Sequence, residues 1–327
     1  MEYRVIGKTG IKVSPLCFGT MSFGGNADEQ TSRSMFRRCR DRGINFFDTA
    51  DVYSAGRSEE ILGACISGCR NEIILTTKVF FPTGEDINAR GLSRRHIMEA
   101  LEASLGRLKT DRVEFYFVHS FDQNTPMEET LRALDDLRRQ GKILHTGVSN
   151  WAAWQIAKSL GISAREGLAR FELIQPMYNL VKRQAEVEIL PLAKSEQLGV
   201  IPYSPTGAGL LTGKYGVNKK PESGRIVEDA RYKDRYRDEK NYIAADRFTA
   251  LAEKRGVHPA ALAIAWVMAH PAVTAPITGA RNTAQLEDNL GALDIEMDEE
   301  LREAISACSE APPPATDRTE IQLPNWK

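Results

Sequence analysis

The strongest constraint on the fold is an alternation of short apolar runs with longer amphipathic segments, which continues from near the N-terminus to about residue 290. The runs are rich in β-branched and aromatic residues, and the segments carry apolar residues at helical spacing. The predicted strands span residues 16–18, 45–48, 73–78, 113–119, 144–149, 172–175, 200–204 and 273–277. The predicted helices span residues 29–42, 58–66, 93–108, 126–140, 151–160, 186–197, 242–255 together with 259–269, and 283–290.

This alternation contains eight strand-then-helix units, which predict one (β/α)8 TIM barrel domain over residues 1–327. The length would also fit two average domains, but one barrel with added loops accounts for it as well. The structural rival is an open doubly wound sheet, which usually carries a GxGxxG turn after its first strand. Here that turn reads FGTMSFGG, so the barrel is favoured.

Three segments are expected to lie outside the eight strand-then-helix units of the barrel. The runs YRVI and IKVS flank the turn Lys8-Thr9-Gly10 and predict an N-terminal β-hairpin. The connection over residues 206–241, after the seventh strand, has no clean periodicity, and a loop this long at the C-terminal end of a barrel strand predicts a lid. The sequence PPPATDRTEIQLPNWK begins with prolines that exclude a helix there, and it predicts a surface tail.

Charge and cysteine content exclude several function classes. The 43 basic and 44 acidic residues give a net charge of −1, without the electrostatic footprint of a nucleic-acid or anionic-membrane binder. Five scattered cysteines without a CxxC pair predict neither a disulfide framework nor a zinc site, and favour a reducing, cytoplasmic location. The stretch 260–280 lacks Lys, Arg, Asp and Glu, but Pro271 and Pro276 divide it into a buried helix and a strand, so we expect no membrane span.

Polar side chains stand where the predicted strands end. The second strand ends in Asp48, the third in Lys78 and the fourth in His119, and Tyr53 follows Asp48 after a short turn. Because a barrel brings the C-terminal ends of its strands to one mouth, we expect these groups to lie around a single site. Each alone could equally be a solvated strand end, a rim histidine or a turn cap. Further polar groups end the later strands: Ser149, Asn150, Gln175, Tyr203 and Ser204.

A tyrosine, a lysine, an aspartate and a histidine placed together in this way can transfer a proton to a substrate. A tyrosine with an unperturbed pKa of about 10 holds its proton too tightly for exchange near neutral pH. A lysine ammonium about 4 Å away favours the phenolate by about 4 kcal/mol, roughly three pK units. Asp48 could keep Lys78 charged, and His119 could orient an oxygen beside the phenol. The site would protonate a carbonyl oxygen while a hydride reaches the carbon, and since no side chain supplies hydride, a cofactor must.

Over nearly its whole length the chain resembles the aldo-keto reductases. The run Gly209-Leu210-Leu211-Thr212-Gly213-Lys214-Tyr215 is similar to the branch that contains bacterial general aldo-keto reductases and potassium-channel β subunits. The motifs that carry the resemblance are Phe18-Gly19-Thr20-Met21, Asp48-Thr49-Ala50 with Tyr53, Lys78, His119, Gly147-Val148-Ser149-Asn150, Gln175-Pro176-Met177-Tyr178-Asn179, Tyr203-Ser204-Pro205, and Gly279-Ala280-Arg281 followed by Gln285, Leu286 and Asn289.

The resemblance implies a role for each of the four candidate catalytic residues. Tyr53 would be the general acid in carbonyl reduction and the base in the reverse reaction. Lys78 would lower the pKa of Tyr53, and Asp48 would pair with Lys78. His119 would orient the carbonyl of a small-molecule aldehyde, ketone or alcohol substrate. The resemblance implies no metal ion.

The resemblance also implies a dinucleotide site. Ser149, Asn150 and Gln175 would hold the nicotinamide carboxamide, and Tyr203 would stack on the ring. Arg281 would bind the 2′-phosphate of the adenosine ribose, which favours NADPH over NADH. The other implied cofactor contacts are Gln285 and Asn289 near the adenine, Lys214 near the pyrophosphate, and Gly19, Thr20, Met21, Ser204, Pro205, Gly207, Leu210 and Gly279.

The chain departs from the family pattern at the mouth of the barrel. His119 is followed by Ser120-Phe121-Asp122 without the tryptophan of several better-known members, and Thr206 replaces the usual leucine after Ser204-Pro205. These departures leave the substrate pocket undetermined, and a homo-oligomer is possible but not indicated. Four phenylalanines hint at apolar or aromatic substrates: Phe23, Phe80, Phe81 and Phe121. Trp151 and Trp154 are expected to pack in the core.

Two other function classes stay open. The first is a cofactor-binding regulatory subunit with slow turnover, as the resemblance to channel β subunits allows. The second is a barrel aldolase that uses Lys78 as a Schiff-base nucleophile. The aldolase would bind no nicotinamide, and borohydride would trap its substrate on Lys78.

Overall fold

The computed structural model describes residues 1–316, in which strands and helices alternate as predicted. The strands are β1 Arg4–Val5, β2 Lys12–Val13, β3 Cys17–Gly19, β4 Phe46–Asp48, β5 Ile74–Val79, β6 Val113–Val118, β7 Ile143–Ser149, β8 Phe171–Gln175, β9 Gly199–Val200 and β10 Ile277–Thr278. The α-helices are α1 Glu29–Asp41, α2 Arg57–Ile66, α3 Arg94–Leu108, α4 Met127–Arg139, α5 Ala153–Glu166, α6 Ile189–Glu196, α7 Arg225–Glu228, α8 Ala230–Arg235, α9 Glu239–Lys254, α10 Pro259–Met268, α11 Thr283–Leu290 and α12 Glu299–Ser306.

Strands β3 to β10 form one parallel sheet that closes into a barrel. Each strand from β3 to β8 pairs with the next one along the chain, and β10 returns to pair with β3. The segments beside β9 and β10 join the remaining edge, because the N–H groups of Thr274 and Ile277 donate to the carbonyls of Val200 and Pro202, each at 2.8 Å. A closed parallel sheet with helices between its strands confirms the predicted (β/α)8 fold.

The inside of the barrel holds its own apolar core. Phe46, Phe115 and Phe117 meet there and are completely buried. The predicted hairpin is confirmed as the antiparallel pair β1 and β2, and Ile6 and Val13 of this region belong to the same inner core. The hairpin therefore closes the N-terminal end of the barrel, and the C-terminal end remains for a site.

Several predicted boundaries differ from the structure. The strand expected over 200–204 is reduced to β9, because Pro202 has no N–H to donate to a sheet ladder. The strand expected over 273–277 shifts to β10, and its earlier residues bond to the opposite edge of the sheet instead. The helix expected over 151–160 begins two residues later and continues as α5 to Glu166.

Helix α12 lies beyond the predicted elements, although the sequence carries its start signal. Asp298 caps the helix by accepting a hydrogen bond from the main-chain N–H of Leu301 at 2.7 Å. Leu301 and Ile305 are buried on one side of the helix. An aspartate cap followed by glutamates in the first turn is a recognised helix start, so the pattern over 298–306 is sufficient to predict this helix.

The connection predicted as a loop over residues 206–241 contains two short helices, α7 and α8. It folds back onto the C-terminal mouth, where the hydroxyl of buried Tyr236 accepts a hydrogen bond from Nδ2 of Asn179 at 3.3 Å. Of the predicted tail, residues 312–316 form neither helix nor strand. Residues 317–327 lie outside the described part of the chain.

The stretch 260–280, which lacks Lys, Arg, Asp and Glu, is divided as predicted. Helix α10 ends at Met268, before Pro271, and β10 begins directly after Pro276. Over residues 1–316 no helix combines the length with the apolar composition that crossing a bilayer requires.

Candidate active site

The four candidate catalytic residues converge at the C-terminal mouth. Asp48 ends β4, Lys78 lies near the end of β5, His119 directly follows β6, and Tyr53 lies in the turn after β4. Nζ of Lys78 lies 2.7 Å from Oδ2 of Asp48 and 5.0 Å from the ring centroid of Tyr53. The ring centroids of Tyr53 and His119 are 6.0 Å apart. The prediction that strand ends gather these side chains is therefore correct for all four positions.

Asp48 is buried and held on both carboxylate oxygens. Oδ2 accepts from Lys78, and Oδ1 accepts from Oγ1 of Thr76 at 2.6 Å and from Nε2 of Gln175 at 3.0 Å. Thr76 is not among the predicted site residues, although it shares a face of β5 with Lys78 through the two-residue period of a strand. These bonds fix the carboxylate in one orientation toward Lys78.

Lys78 is completely buried and positively charged. Its ammonium donates to Asp48 and to the carbonyl of Thr49 at 2.6 Å, so one of its three hydrogens remains for the side of Tyr53. Burial lowers the pKa of Lys78, but the interactions with Asp48 and Tyr53 raise it by more, so the net pKa is raised. The lysine is thus a fixed cation rather than a free amine.

The pKa of Tyr53 corrects one expectation. Burial raises this pKa, the charge of Lys78 lowers it, and the charge of Asp48 raises it again, so that the net value lies above the ordinary one. Lys78 therefore acts in the predicted direction, but it does not bring the phenol near neutral pH. The reason is that Asp48 offsets the field of Lys78 while burial disfavours the phenolate. Tyr53 is consequently fully protonated, which is the form that a proton donor needs.

His119 is buried and neutral. Burial and the charge of Lys78 hold the pKa of His119 well below its usual range. Its Nδ1 is buried, and no group within residues 1–316 bonds to it. Its ring packs edge-to-face against Phe81, with 4.9 Å between centroids, and against Tyr53. A neutral imidazole offers one donor and one acceptor, so it can donate a hydrogen bond to an oxygen placed beside Tyr53.

The predicted carboxamide-binding residues form one hydrogen-bonded group. Oγ of Ser149 donates to the carbonyl of Gln175 at 2.9 Å, and Nδ2 of Asn150 donates to the carbonyl of His119 at 2.9 Å. Asn150 has a left-handed backbone (φ 59°), and the hydroxyl of Tyr203 donates to its Oδ1 at 2.8 Å. Gln175 uses Nε2 on Asp48, so its Oε1 remains as an acceptor. This group can bind an amide and support a flat ring on Tyr203.

The predicted adenosine-binding residues gather where α11 begins. The main-chain N–H of Arg281 donates to Oε1 of Gln285 at 3.0 Å, and Nδ2 of Asn289 donates to the carbonyl of Gly279 at 3.1 Å. Burial and the charge of Arg281 lower the pKa of Lys214. A helix start with two cations suits a phosphate group.

The other predicted cofactor contacts differ in how far they are buried. The hydroxyl of Thr20 is buried against Ser58 and the carbonyl of Asp48, and the side chain of Leu210 is completely buried. Pro205 and Gly207 are also buried, whereas Met21 is exposed. Ser204 has a left-handed backbone (φ 60°). Gly19 and Gly279 lie close together, because a Cβ on Gly279 would come within 3.0 Å of the Gly19 carbonyl oxygen.

Aromatic residues line one side of the mouth. Phe121 packs against Trp151 and Trp154, with ring centroids 5.1 Å and 6.4 Å apart. Trp151 is buried as expected, but Trp154 is 62% exposed, so its predicted place in the core is wrong. Phe23 is completely buried in the core and does not line the mouth, which corrects its predicted place there. The structure therefore leaves Phe81, Phe121 and Trp154 as surfaces that a substrate could touch.

Comparison with known proteins agrees with this geometry. A family model described as "Aldo/keto reductase family" matches residues 15–310. A "Probable voltage-gated potassium channel subunit beta" of Arabidopsis thaliana is 39% identical over 308 residues, which cover 90% of this chain and 92% of that protein. A protein of the same description from Oryza sativa subsp. japonica is 37% identical over 308 residues, with the same two coverages.

A bacterial relative is equally similar. The "Uncharacterized oxidoreductase YrpG" of Bacillus subtilis (strain 168) is 38% identical over 312 residues, which cover 92% of this chain and 94% of that protein. The plant and bacterial relatives confirm the branch that the motifs indicated. With nearly the whole barrel matched, the chain belongs to the aldo/keto reductase family of oxidoreductases.

Proposed function

We propose that the protein is an NADPH-dependent oxidoreductase that reduces an aldehyde or ketone to an alcohol. The observation that carries the proposal is the buried ion pair of Lys78 and Asp48 beside the ring of Tyr53. A protonated phenol next to a fixed ammonium can give up its proton, because the ammonium stabilises the phenolate that remains. Carbonyl reduction needs such a proton donor next to the site where a hydride arrives.

In the proposed reaction the cofactor would supply the hydride and the protein would supply the proton. A nicotinamide held by these residues would supply a hydride, one hydrogen with two electrons, for the carbonyl carbon. Tyr53 donates its hydroxyl proton to the carbonyl oxygen, so that C=O becomes CH–OH and the phenol becomes a phenolate. Lys78 stabilises this phenolate until a proton from solvent restores the phenol. In the oxidative direction Tyr53 takes the alcohol proton instead.

His119 would position the substrate. As a neutral imidazole it would donate one hydrogen bond to the carbonyl oxygen. Its contact with Phe81 limits rotation of the ring. The oxygen would then lie between two donors, His119 and Tyr53, which polarise the carbonyl group as it is reduced.

The hydrogen-bonded group at the mouth supports the cofactor assignment. Oε1 of Gln175, with Ser149 and Asn150, would hold the carboxamide, and the ring of Tyr203 would support the nicotinamide. Arg281 would bind the 2′-phosphate, which is the reason for proposing NADPH. Lys214 would contact the pyrophosphate, and Gln285 and Asn289 would lie near the adenine.

A second candidate function is a regulatory subunit that binds the cofactor and turns over slowly. Two plant relatives described as probable β subunits of voltage-gated potassium channels favour it. The aldolase alternative has weaker support, because a Schiff base requires a neutral amine and the raised pKa of Lys78 keeps the ammonium charged. The free state of all five cysteines, which lie within residues 1–316, supports a reducing, cytoplasmic location.

A turnover assay separates these functions. NADPH absorbance is followed while the protein is mixed with small aliphatic and aromatic aldehydes, with enzyme at a small fraction of the NADPH concentration. Rapid, sustained oxidation over many turnovers supports the reductase, and oxidation of about one cofactor equivalent followed by only slow turnover indicates the regulatory subunit. Covalent trapping of substrate on Lys78 by borohydride, with no nicotinamide bound, would contradict both.

A further inference from the structure

Glu228 forms an ion pair with Arg281. Glu228 is the last residue of α7, within the 206–241 connection, and its Oε2 lies 3.3 Å from Nη2 of Arg281. Its other oxygen, Oε1, accepts a hydrogen bond from the main-chain N–H of Gly224 at 3.0 Å. The carboxylate therefore joins the connection to the residue that would bind the 2′-phosphate.

The backbone around Gly224 fixes the place of this carboxylate. A Cβ on Gly224 would lie 3.3 Å from Nζ of Lys214, so the segment that begins α7 lies directly against that cation. The charge of Glu228 acts on the pKa of Lys214 in the opposite direction to the charge of Arg281. One carboxylate thus faces the two cations that a dinucleotide phosphate would need.

The ion pair between Glu228 and Arg281 is weak enough for a bound phosphate to replace Glu228 as the partner of Arg281. The side chains of Arg281 and Glu228 are 30% and 46% exposed. Ion pairs as exposed as this contribute at most about 1 kcal/mol, and salt screens them further. A phosphate that carries between one and two negative charges could take Arg281 from Glu228, but it would then lie beside a carboxylate of the same sign. A ribose hydroxyl, in contrast, could donate a hydrogen bond to that carboxylate.

We propose that Glu228 determines the cofactor specificity of this chain, by competing with the 2′-phosphate for Arg281 and so reducing the preference for NADPH over NADH. The inference rests on the proposed function, because it assumes that the adenosine end of a dinucleotide binds beside Arg281. It goes beyond that function by assigning a residue that opposes the phosphorylated cofactor.

The test measures binding of two adenosine probes to the full chain by titration calorimetry. Adenosine 2′,5′-bisphosphate carries the 2′-phosphate, and adenosine 5′-monophosphate lacks it. For Glu228→Gln, which retains an oxygen to accept from Gly224, we expect the bisphosphate to bind up to about fivefold more tightly, as loss of an exposed ion pair predicts. Affinity for the monophosphate should change less than twofold. Glu222→Gln, exposed in the same connection, is the matched control and should leave both affinities unchanged.

Two further measurements identify the cause. In an Arg281→Ala background the gain from Glu228→Gln should shrink, because Glu228 and the 2′-phosphate then no longer compete for Arg281. The gain should also shrink at high salt. If Glu228→Gln binds the bisphosphate no better than the unchanged protein, while the unchanged protein still binds both probes, the role of Glu228 is wrong and the proposed function stands. If neither form binds either probe, both proposals are overturned.

Discussion

Gln175 and Asp48 share a hydrogen bond across the inside of the barrel. Nε2 of Gln175 donates to Oδ1 of Asp48 at 3.0 Å. β8 and β4, which carry these residues, are separated by three strands in the sheet order, so the bond joins opposite walls. The side chain that would hold the carboxamide is therefore the same one that fixes the carboxylate partner of Lys78. Cofactor binding and the proton donor are linked through this amide.

We expect Gln175→Met to weaken both functions together. The variant keeps the side-chain volume but removes the donor to Asp48 and the acceptor for the carboxamide. One lost hydrogen bond to a charged group predicts about a tenfold drop in kcat and a rise in KM for the cofactor. Steady-state kinetics test this, with Gln30→Met on the exposed side of α1 as the control. Kinetics equal to those of the unchanged protein would refute the link.

The pH profile of reduction follows from the raised pKa of Tyr53. Below that pKa the phenol holds its proton, so the acid form is present at all pH values under the ordinary pKa of about 10. His119, whose pKa is well below its usual range, stays neutral over the same interval. We therefore expect kcat for reduction to be flat between about pH 6 and about pH 9. A midpoint near neutral pH would contradict the protonation states assigned to this pair.

Asp51 should make the stability of the fold depend on pH. Its carboxyl is buried, neither oxygen has a partner among the described side chains, and burial, with the charge of Glu59, raises its pKa to about 7. The native state thus holds a proton that the unfolded chain loses near its ordinary pKa of about 4, so stability falls as pH rises between these values. Ionising the group in the folded protein costs at most about 4 kcal/mol.

Asp51→Asn removes this cost. Urea denaturation should show little change at about pH 4 and a clear gain at about pH 8, bounded by the same few kcal/mol. Asp111→Asn, an exposed aspartate at the N-terminal end of the barrel, serves as the control. A variant that is less stable at both pH values would mean that the Asp51 carboxylate makes favourable contacts in the native protein.

Trp154 should affect aromatic substrates without affecting the fold. Because its ring is 62% exposed, Trp154→Ala should change the free energy of unfolding by no more than about 0.5 kcal/mol. KM for benzaldehyde should rise several-fold while KM for propanal stays unchanged. Trp151→Ala, at the buried neighbour, should instead cost about 3–5 kcal/mol of stability. Equal effects of Trp154→Ala on both aldehydes would remove it from the substrate site.

The sequence is sufficient to predict those site residues whose location follows from their position at the end of a strand. Asp48, Lys78 and His119 mark the ends of neighbouring strands, and a parallel barrel must bring such ends together. The bond from Gln175 to Asp48 depends on how opposite strands are staggered around the barrel, which no single segment encodes. The geometry of this hydrogen bond is therefore known only once the sheet has closed into a barrel.

Two further features cannot be predicted from the sequence, for a different reason. They are the direction of the pKa shift of Tyr53 and the contact of Glu228 with Arg281. Whether the pKa of Tyr53 is raised or lowered depends on how deeply the phenol is buried and on how far the charge of Asp48 offsets that of Lys78. Neither can be obtained from the spacing of residues in the sequence. Glu228 lies in the aperiodic 206–241 connection, where charged residues follow one another without a pattern. Its contact with Arg281 joins positions far apart in the sequence.

Substitution of Tyr53 by Phe tests directly whether the Tyr53 hydroxyl protonates the carbonyl oxygen. The variant keeps the ring beside Lys78 and removes only the hydroxyl group with its proton. NADPH oxidation at saturating aldehyde should fall by a factor of about 100 to 10,000, while the dissociation constant for NADPH, measured by fluorescence titration, changes less than about twofold. A rate within about threefold of the unchanged protein, with the cofactor still bound, would show that another group supplies the proton.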